Sequence, residues 1–180
     1  KNLESLVITF DPHPVKVLFP QILLKNIFDV EDKIRQLSHL GVQHMLMEPF
    51  SRELSQLTPD DFFRHFILNL NVKELFVGHD FSFAKDRSGT LEVLKALCDK
   101  NKVRLAIVPA VKLDGETVSS SRIRKSIIEG DVALATRMLE RPYYMAGVVE
   151  KGAGRGRKLG FPTANLFTSG EIFPKNGVYQ

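Results

Sequence analysis

Hydrophobic residues along the chain form short β-rich runs that alternate with stretches of helical spacing. Runs of aliphatic and β-branched residues predict strands, and apolar positions three or four residues apart predict amphipathic helices. This alternation is typical of an α/β domain with a doubly wound, mostly parallel sheet. The predicted strands lie at residues 6–10, 42–47, 75–77 and 103–108, and the predicted helices at 30–40, 59–70, 91–97, 119–130 and 131–139.

Capping residues set the helix boundaries. Asp29, Thr58 and Thr90 each precede a helical pattern and can accept a hydrogen bond from a backbone N–H of the first turn, as can a serine of the group 119–121. Between two short β-rich arms, Asp114-Gly115 predicts a hairpin turn. The apolar stripes predict the buried faces of three helices, and we interpret the aromatic one as core. These faces are Val30, Ile34, Leu37 and Leu40; Phe62, Phe63, Phe66, Ile67 and Leu70; and Ile123, Ile127 and Ile128.

The pattern changes at Arg141-Pro142, where the proline breaks the last predicted helix. Residues 143–150 are strand-like, a glycine-rich stretch follows at 152–160, and no helical spacing returns. We therefore predict two domains, an α/β domain over residues 1–141 and the beginning of a separate all-β unit over residues 142–180.

Composition indicates a soluble globular protein, with 43% apolar and 26% charged residues among 180. No apolar run approaches the roughly 20 residues of a membrane span, so we expect no membrane partner. The single cysteine, Cys98, excludes an intramolecular disulfide, disfavours a zinc site and fits a cytoplasmic location; its place on an apolar stripe predicts buried packing. The net charge of +4 is mild, but the basic cluster between Lys151 and Lys158 suits phosphate groups.

The densest candidate chemistry lies at residues 119–124, where three serines precede Arg122 and Arg124. The N-terminus of a helix presents free amides and roughly half a positive charge. Guanidinium groups beside it would complete a polyphosphate site. The alternative is an ordinary capped helix with solvated arginines, and these residues alone leave both interpretations open.

Two loops at strand ends carry further candidates. His13 lies in the proline-rich segment 11–14 after the first strand, the end at which open α/β sheets bind ligands, although a lone histidine there can equally be structural. After the third strand, residues 78–83 mix polar and aromatic side chains, as a planar ring ligand requires. The next loop, 84–89, carries Lys85 and Arg87.

Four segments with candidate chemistry follow one another: TFDPHP at 9–14, GHDFSF at 78–83, SSSRIR at 119–124 and GRGRKLGFPTAN at 154–165. Together they resemble the bacterial bifunctional riboflavin kinase/FAD synthetase family. The first three are similar to the nucleotide loop, the flavin-side loop and the Ser-Ser-x-x-Ile-Arg signature of its adenylyltransferase domain. The fourth resembles the flavin and ATP loop of its kinase domain and is the most specific.

The sequence departs from the family pattern in two ways. Ala84 and Glu140 stand where the family usually has glycine. In addition, nothing like the family's Phe-Asp-Gly-x-His-x-Gly-His segment precedes Lys1, and the kinase pattern stops after Tyr179, before the expected acidic base. We therefore expect an interior piece of the full enzyme, truncated at both ends and with little activity alone.

The resemblance implies a Rossmann-like nucleotidyltransferase domain followed by the start of an all-β riboflavin kinase barrel. It also implies two ATP-dependent reactions with Mg²⁺, in which riboflavin is phosphorylated to FMN and FMN is adenylylated to FAD with release of pyrophosphate. Positioning and charge neutralisation dominate such displacements at phosphorus.

The resemblance further implies roles for residues of both domains. In the adenylyltransferase domain, the ATP-binding residues would be His13, Ser119, Ser120 and Arg124, the last three also catalytic, and the flavin-binding residues would be Asp80, Phe81, Phe83 and Arg87. In the kinase domain, ATP would be bound by Gly154, Gly156 and Thr163, the flavin by Leu159, Gly160 and Phe161, and Mg²⁺ by Thr163 and Asn165, with Asn165 also catalytic.

Two other interpretations stay open. The chain could be a nucleotidyltransferase for another substrate, such as a pantetheine or nicotinate nucleotide, although the Pro-Thr-Ala-Asn loop argues against it. It could also be a nucleic-acid-binding module that uses residues 154–158, but that basic cluster is short and lacks interleaved aromatic residues. We expect small-molecule substrates and no nucleic-acid partner, and the oligomeric state stays open.

Overall fold

The structure is a computed structural model that describes residues 3–152, 156 and 160–179. The chain divides into two compact units. The first unit comprises Lys1–Leu24 and His44–Thr117, and the second comprises Lys25–Gln43 and Val118–Gln180. The second unit thus combines an early segment with the last third of the chain, and a domain boundary near residue 141 stays a prediction.

Four strands of the first unit form two parallel pairs, as the alternating pattern predicts. β1 (Leu6–Phe10) pairs with β2 (His44–Glu48), and β3 (Glu74–Gly78) pairs with β4 (Arg104–Val108). Among the described residues these are two separate two-stranded sheets. The parallel pairing is therefore observed, whereas one continuous doubly wound sheet stays a prediction.

The hairpin predicted at Asp114-Gly115 is confirmed. β5 (Lys112–Leu113) and β6 (Glu116–Thr117) pair antiparallel around it. Asp114 and Gly115 both have positive φ, at 55° and 81°, which is what a tight two-residue turn of this kind requires.

Helices of the first unit pack against its strands, and the core between them is rich in aromatic residues. α3 (Pro59–Phe63) follows its N-cap Thr58 and continues into a π-helical stretch (Arg64–Leu68). It packs against α4 (Leu91–Asn101). Phe63 and Phe66 are each only 1% exposed, so the aromatic stripe is core, as predicted. Leu70, by contrast, is exposed, because the helical stretch ends before it. Cys98 is fully buried, and burial raises the pKa of its thiol, as expected for a packing residue.

A short helix, α1 (Pro14–Leu18), follows β1 where the sequence predicted only a rigid loop. His13 is its N-cap, because the Nδ1 of His13 accepts a hydrogen bond from the backbone N–H of Val15 at 3.2 Å. A three-residue 3₁₀ turn (Leu54–Gln56) precedes α3.

The described part of the second unit includes three capped helices and a short strand pair. α2 (Val30–His39), α5 (Ser120–Glu129) and α6 (Val132–Leu139) begin after Asp29, Ser119 and Asp131, whose side chains each accept a first-turn backbone N–H. β7 (Val148–Glu150) and β8 (Asn165–Phe167) pair antiparallel. Of the strand-like residues 143–150, only 148–150 form a strand. The side-chain hydroxyls of Tyr143 and Tyr144 donate to the Ile172 carbonyl and to Asp32 Oδ1.

Two predicted helix faces of this unit are wrong in part. In α5, Ile123 and Ile127 are buried as predicted, but Ile128 is 51% exposed. In α2, Ile34 and Leu40 of the predicted inner face are exposed, and the buried residue is instead Asp32, at 6%. Asp32 can be buried because its carboxylate accepts hydrogen bonds from Tyr144 and Arg35.

Over the part of the chain that the structure describes, no helix has the length and apolar character needed to cross a membrane.

Candidate functional site

The α5 site, defined here as Ser119, Ser120 and Arg124, lies at the start of α5. The Ser119 hydroxyl accepts a hydrogen bond from the Arg122 backbone N–H at 3.2 Å, which makes it the N-cap of the helix. Both serines are exposed. The site therefore presents two hydroxyl groups beside first-turn amides, and the capping that the sequence predicted is confirmed.

Arg124 is fixed more tightly than a solvated arginine. Its Nε donates to the backbone carbonyl of Lys25 at 2.7 Å, and burial lowers the pKa of its guanidinium. Because only Nε is used by this bond, the two Nη groups of the fork are left to bind an oxyanion, which guanidinium recognises through paired donors. The interpretation of Arg124 as a freely solvated side chain is thus not what the structure shows.

The segment that supplies this carbonyl is itself held by a carboxylate. Glu171 accepts from the backbone N–H of Asn26 at 2.8 Å and from its side-chain Nδ2 at 3.1 Å. Sequence reasoning missed this contact, because the two residues are 145 positions apart and neither belongs to a recognisable motif.

Nearby in the second unit, Asp32 is buried among hydrogen-bond donors. Its Oδ1 accepts from the Tyr144 hydroxyl at 2.7 Å and from Arg35 Nη1 at 3.1 Å. Burial, with a smaller effect of the Asp32 charge, raises the pKa of Tyr143. Asp32, Tyr143 and Tyr144 line a cavity of ≈ 40 Å³. That volume suits a water molecule or two and not a nucleotide, whose sites typically measure about 300–1,000 Å³.

The β3 loop, defined here as residues 78–89, lies in the first unit and combines stacked aromatic rings with exposed polar groups. Phe81 and Phe83 stack with centroids 5.6 Å apart, and Phe83 also contacts Phe62 at 4.8 Å. Phe83 is only 6% exposed and Phe81 is half-buried, whereas Asp80 is exposed. Phe83 therefore supports the loop from the core, and Phe81 and Asp80 are the groups a ligand could reach.

Backbone bonds and a close approach hold the β3 loop in shape. Phe83 and Gly89 exchange backbone hydrogen bonds of 3.1 and 3.0 Å. A Cβ at Gly89 would lie 2.6 Å from the Phe83 ring, so only glycine fits there. Between them, Arg87 is exposed and its Nε donates to the Ser82 hydroxyl at 2.7 Å. The guanidinium is thereby held over the loop.

Both residues that replace a family glycine have a backbone conformation that glycine favours. Ala84 has φ 63° and ψ −175°, and Glu140, which ends α6, has φ 54° and ψ 21°. Left-handed backbone is strained for residues with a Cβ, and the region of Ala84 is essentially restricted to glycine. The two departures seen in the sequence therefore each carry an energetic cost.

The kinase loop, defined here as residues 152–165, is described at 152, 156 and 160–165. Gly154 and Leu159, predicted to bind ATP and the flavin, lie outside the described residues. Phe161 donates its backbone N–H to the Gly156 carbonyl at 2.8 Å, and a Cβ at Gly156 would lie 2.9 Å from the Thr163 hydroxyl. Three predicted residues are thus brought together here, and the missing Cβ of Gly156 leaves the space that Thr163 uses.

The remaining kinase-loop candidates lie close by. Gly160 has φ 82°, and Phe161 is 79% exposed. Asn165 begins β8 opposite Glu150, and its side chain occupies the space where Gly152 would carry a Cβ. Among the described residues, no group of three or more His, Cys, Asp or Glu side chains could hold a metal ion.

One open depression was not foreseen from the sequence. It measures ≈ 330 Å³ and is lined by Leu18, Arg52, Glu53, Ser55 and Gln56 of the first unit. None of these lining residues belongs to a predicted site. The sequence feature that marks the depression is a charged turn before α3.

Two family models match the chain, in the order that its motifs suggest. The model for FAD synthetase matches residues 1–122, and the model for riboflavin kinase matches residues 139–180. These matches define the class of the protein as one in which an FAD synthetase segment is followed by a riboflavin kinase segment. The chain belongs to the bacterial family of bifunctional riboflavin kinase/FAD synthetase proteins.

Individual relatives agree with that family. The bifunctional riboflavin kinase/FMN adenylyltransferase of Bacillus subtilis is 36% identical over 99% of this chain, and that of Listeria monocytogenes is 35% identical. The Escherichia coli K12 protein of the same description is 29% identical. This chain spans 57% of the length of the Bacillus and Listeria relatives, or less than two thirds.

A solved structure of similar fold carries a different description. It is described as a macrolide-efflux protein from Streptococcus pneumoniae, with a TM-score of 0.90 and 34% identity over 98% of this chain and 58% of that one. The efflux description belongs to that protein, whereas both family models and the curated relatives are named for flavin nucleotide synthesis.

Proposed function

We propose that this chain takes part in both ATP-dependent steps of flavin nucleotide synthesis, the phosphorylation of riboflavin to FMN and the adenylylation of FMN to FAD. Support comes from the two family matches, which follow one another along the chain, and from relatives named for both activities. Since the chain spans only part of those relatives, the activity is that of the full-length protein.

Adenylylation takes place at the α5 site. An FMN phosphate oxygen attacks the α-phosphorus of ATP, a new P–O–P bond forms, and pyrophosphate leaves with the electron pair of the broken bond. The groups needed are fixed donors for phosphate oxygens, since positioning and charge stabilisation dominate such transfers. The observation that carries this proposal is the pair of exposed hydroxyls at a helix N-terminus beside an Arg124 held by a backbone carbonyl.

The flavin of the same reaction is bound by the β3 loop. Phe81, backed by Phe83, offers an apolar ring face, and Asp80 and Arg87 supply polar contacts at its edge. His13 also serves ATP, at the start of α1. Its Nδ1 accepts a hydrogen bond from the Val15 backbone N–H, which fixes the orientation of the ring.

Riboflavin phosphorylation takes place at the kinase loop, where Gly154, Gly156 and Thr163 bind ATP and Leu159, Gly160 and Phe161 bind the flavin. Thr163 and Asn165 present a hydroxyl and an amide oxygen, which are hard ligands that fit Mg²⁺. A bound Mg²⁺ would neutralise phosphate charge there. The chain itself positions these two side chains. Glycines at 152 and 156 leave the space that the Asn165 and Thr163 side chains occupy.

The proposal extends to the fold and location. The two parallel pairs suit a Rossmann-like doubly wound sheet over residues 1–141, and the β7–β8 pair suits the start of a kinase barrel over residues 142–180. A single buried, unpaired cysteine suits a cytoplasmic protein.

The test is product analysis of the full-length protein with riboflavin, ATP and Mg²⁺. We expect FMN to form first and FAD and pyrophosphate to follow. Asp80→Ala should raise the KM for FMN in the second step and leave the first step unchanged, because Asp80 belongs to the adenylyltransferase residues. Formation of neither product would overturn the proposed function.

A further inference from the structure

We propose that Glu171, in the segment matched by the riboflavin kinase model, is a positioning residue for Arg124 in FMN adenylylation. The inference rests on the proposed function of the α5 site. It goes beyond that function, because the adenylylation step would then depend on a side chain in the segment that matches the riboflavin kinase model.

The connection runs through one peptide group. The carbonyl that accepts from Arg124 Nε belongs to Lys25, and the N–H that donates to Glu171 belongs to Asn26. These are the two halves of the same planar amide, so the position of one fixes the direction of the other. The Glu171 carboxylate and the Arg124 guanidinium therefore face each other across a single rigid group.

Glu171 holds that group at two points. Besides the 2.8 Å bond to the backbone N–H, its other oxygen accepts from Asn26 Nδ2 at 3.1 Å. A bidentate, charge-assisted contact of this kind is stronger and more directional than a single neutral bond. It also polarises the amide, which makes the Lys25 carbonyl a better acceptor for Arg124.

The consequence for Arg124 is a fixed guanidinium plane. With Nε bound to Lys25, rotation about the last side-chain torsions is restricted, and the Nη groups keep one direction. Without Glu171 the 25–26 peptide can rotate, and Arg124 loses its orientation but not its charge. We therefore expect a fall in kcat with a smaller change in the KM for ATP, since orientation matters most where charge develops.

The structure offers a matched control. The Tyr144 hydroxyl, also in the segment matched by the kinase model, bonds Asp32 of α2 at 2.7 Å. This bond joins the same two stretches of the second unit without touching the 25–26 peptide. Tyr144→Phe thus removes a comparable tie and leaves the support of Arg124 intact.

The experiment compares Glu171→Ala, Glu171→Gln, Tyr144→Phe, Arg124→Ala and the Glu171→Ala/Arg124→Ala double variant in the full-length protein. The kcat and KM of FMN adenylylation and the melting temperature are measured for each. We expect Glu171→Ala to lower kcat by on the order of tenfold. Glu171→Gln, which keeps one acceptor oxygen, should lose less, and Tyr144→Phe should keep the wild-type kcat. In the double variant, Glu171→Ala should add nothing to the loss caused by Arg124→Ala.

Each failure has a distinct meaning. An unchanged kcat in Arg124→Ala would overturn the proposed α5 site itself. An impaired Arg124→Ala with an unimpaired Glu171→Ala would overturn only the positioning role. Equal losses in Glu171→Ala and Tyr144→Phe, or fully additive losses in the double variant, would also overturn it, because they would indicate general packing.

Discussion

The α5 site and the β3 loop hold their candidate ligand groups in different ways. In the α5 site, the hydroxyls are exposed and Arg124 is fixed by a hydrogen bond to a backbone carbonyl. In the β3 loop, Phe81 is held by stacking on the buried Phe83, which belongs to the core. Phosphate recognition needs directed donors, whereas a planar ring needs a flat apolar face, and each region offers the interaction that its proposed ligand requires.

This difference has a consequence for mutation. Groups held by hydrogen bonds at the surface can be removed with little loss of stability. Their removal should therefore lower mainly the rate of the proposed adenylylation. Groups held by packing cannot be removed without weakening the fold. The following predictions test this contrast, from the largest effect to the smallest.

Phe83→Ala should have the largest effect on stability. The ring is 6% exposed and contacts both Phe62 and Phe81, so its loss leaves a cavity and should cost about 3–5 kcal/mol in the free energy of unfolding. FMN affinity should fall as well, because Phe81 loses its support. Chemical denaturation and an FMN fluorescence titration measure the two effects. A stable Phe83→Ala protein would show that the ring is not a core element.

Ala84→Gly should stabilise the protein by about 1–2 kcal/mol. The φ of 63° with ψ of −175° costs a residue with a Cβ roughly 1–3 kcal/mol, part of which glycine loses again as chain entropy. Thermal melting measures the gain. Unchanged or lowered stability would mean that Ala84 adopts another backbone conformation in solution.

Ser119→Ala should cost about 1 kcal/mol in unfolding free energy, through the lost cap of α5. Thr90→Ala is the matched control, since Thr90 caps α4 in the same way and has no proposed ligand. Both should lower the melting temperature similarly, but Ser119→Ala alone should also lower FMN adenylylation. Equal rates of FMN adenylylation in the two variants would mean that Ser119 serves only as a structural cap.

Glu140→Gly should give the smallest effect, a stabilisation of about 0.5–1 kcal/mol. Glu140 ends α6 with φ 54°, the position at which glycine most often ends a helix. The free energy of unfolding from denaturant titration measures it. Both reactions should keep their rates, and a change in either rate would show that this helix end does more than terminate α6.

Sequence reasoning succeeded where structure is decided by near neighbours. The caps Thr58 and Thr90 were predicted because a hydroxyl and the amide it accepts from lie within three residues. It did not find the burial of Asp32, which is not part of the predicted apolar face of α2 but is buried and bonded to Tyr144, 112 positions away. The bond between Glu171 and Asn26 was missed for the same reason.

Exposure was also harder to predict than periodicity. Ile34 follows the helical rhythm of α2 but is 48% exposed, because the face that packs in this unit is the one that carries Asp32. For the candidate sites, the order of the motifs agrees with the order of the two family matches, and the location of each site stays a prediction. How Arg124 is held could not be predicted, because its acceptor, the Lys25 carbonyl, lies 99 positions away and any residue supplies a carbonyl.

The most direct test of the account is Arg124→Ala in the full-length protein, with both reactions and the melting temperature measured together. If Arg124 holds ATP phosphates, kcat of FMN adenylylation should fall by about 10²–10³-fold, as for loss of a comparable charge-stabilising donor. Riboflavin phosphorylation and the melting temperature should change little. Equal losses in both reactions that follow a lowered melting temperature would contradict the account and make the α5 site an ordinary capped helix.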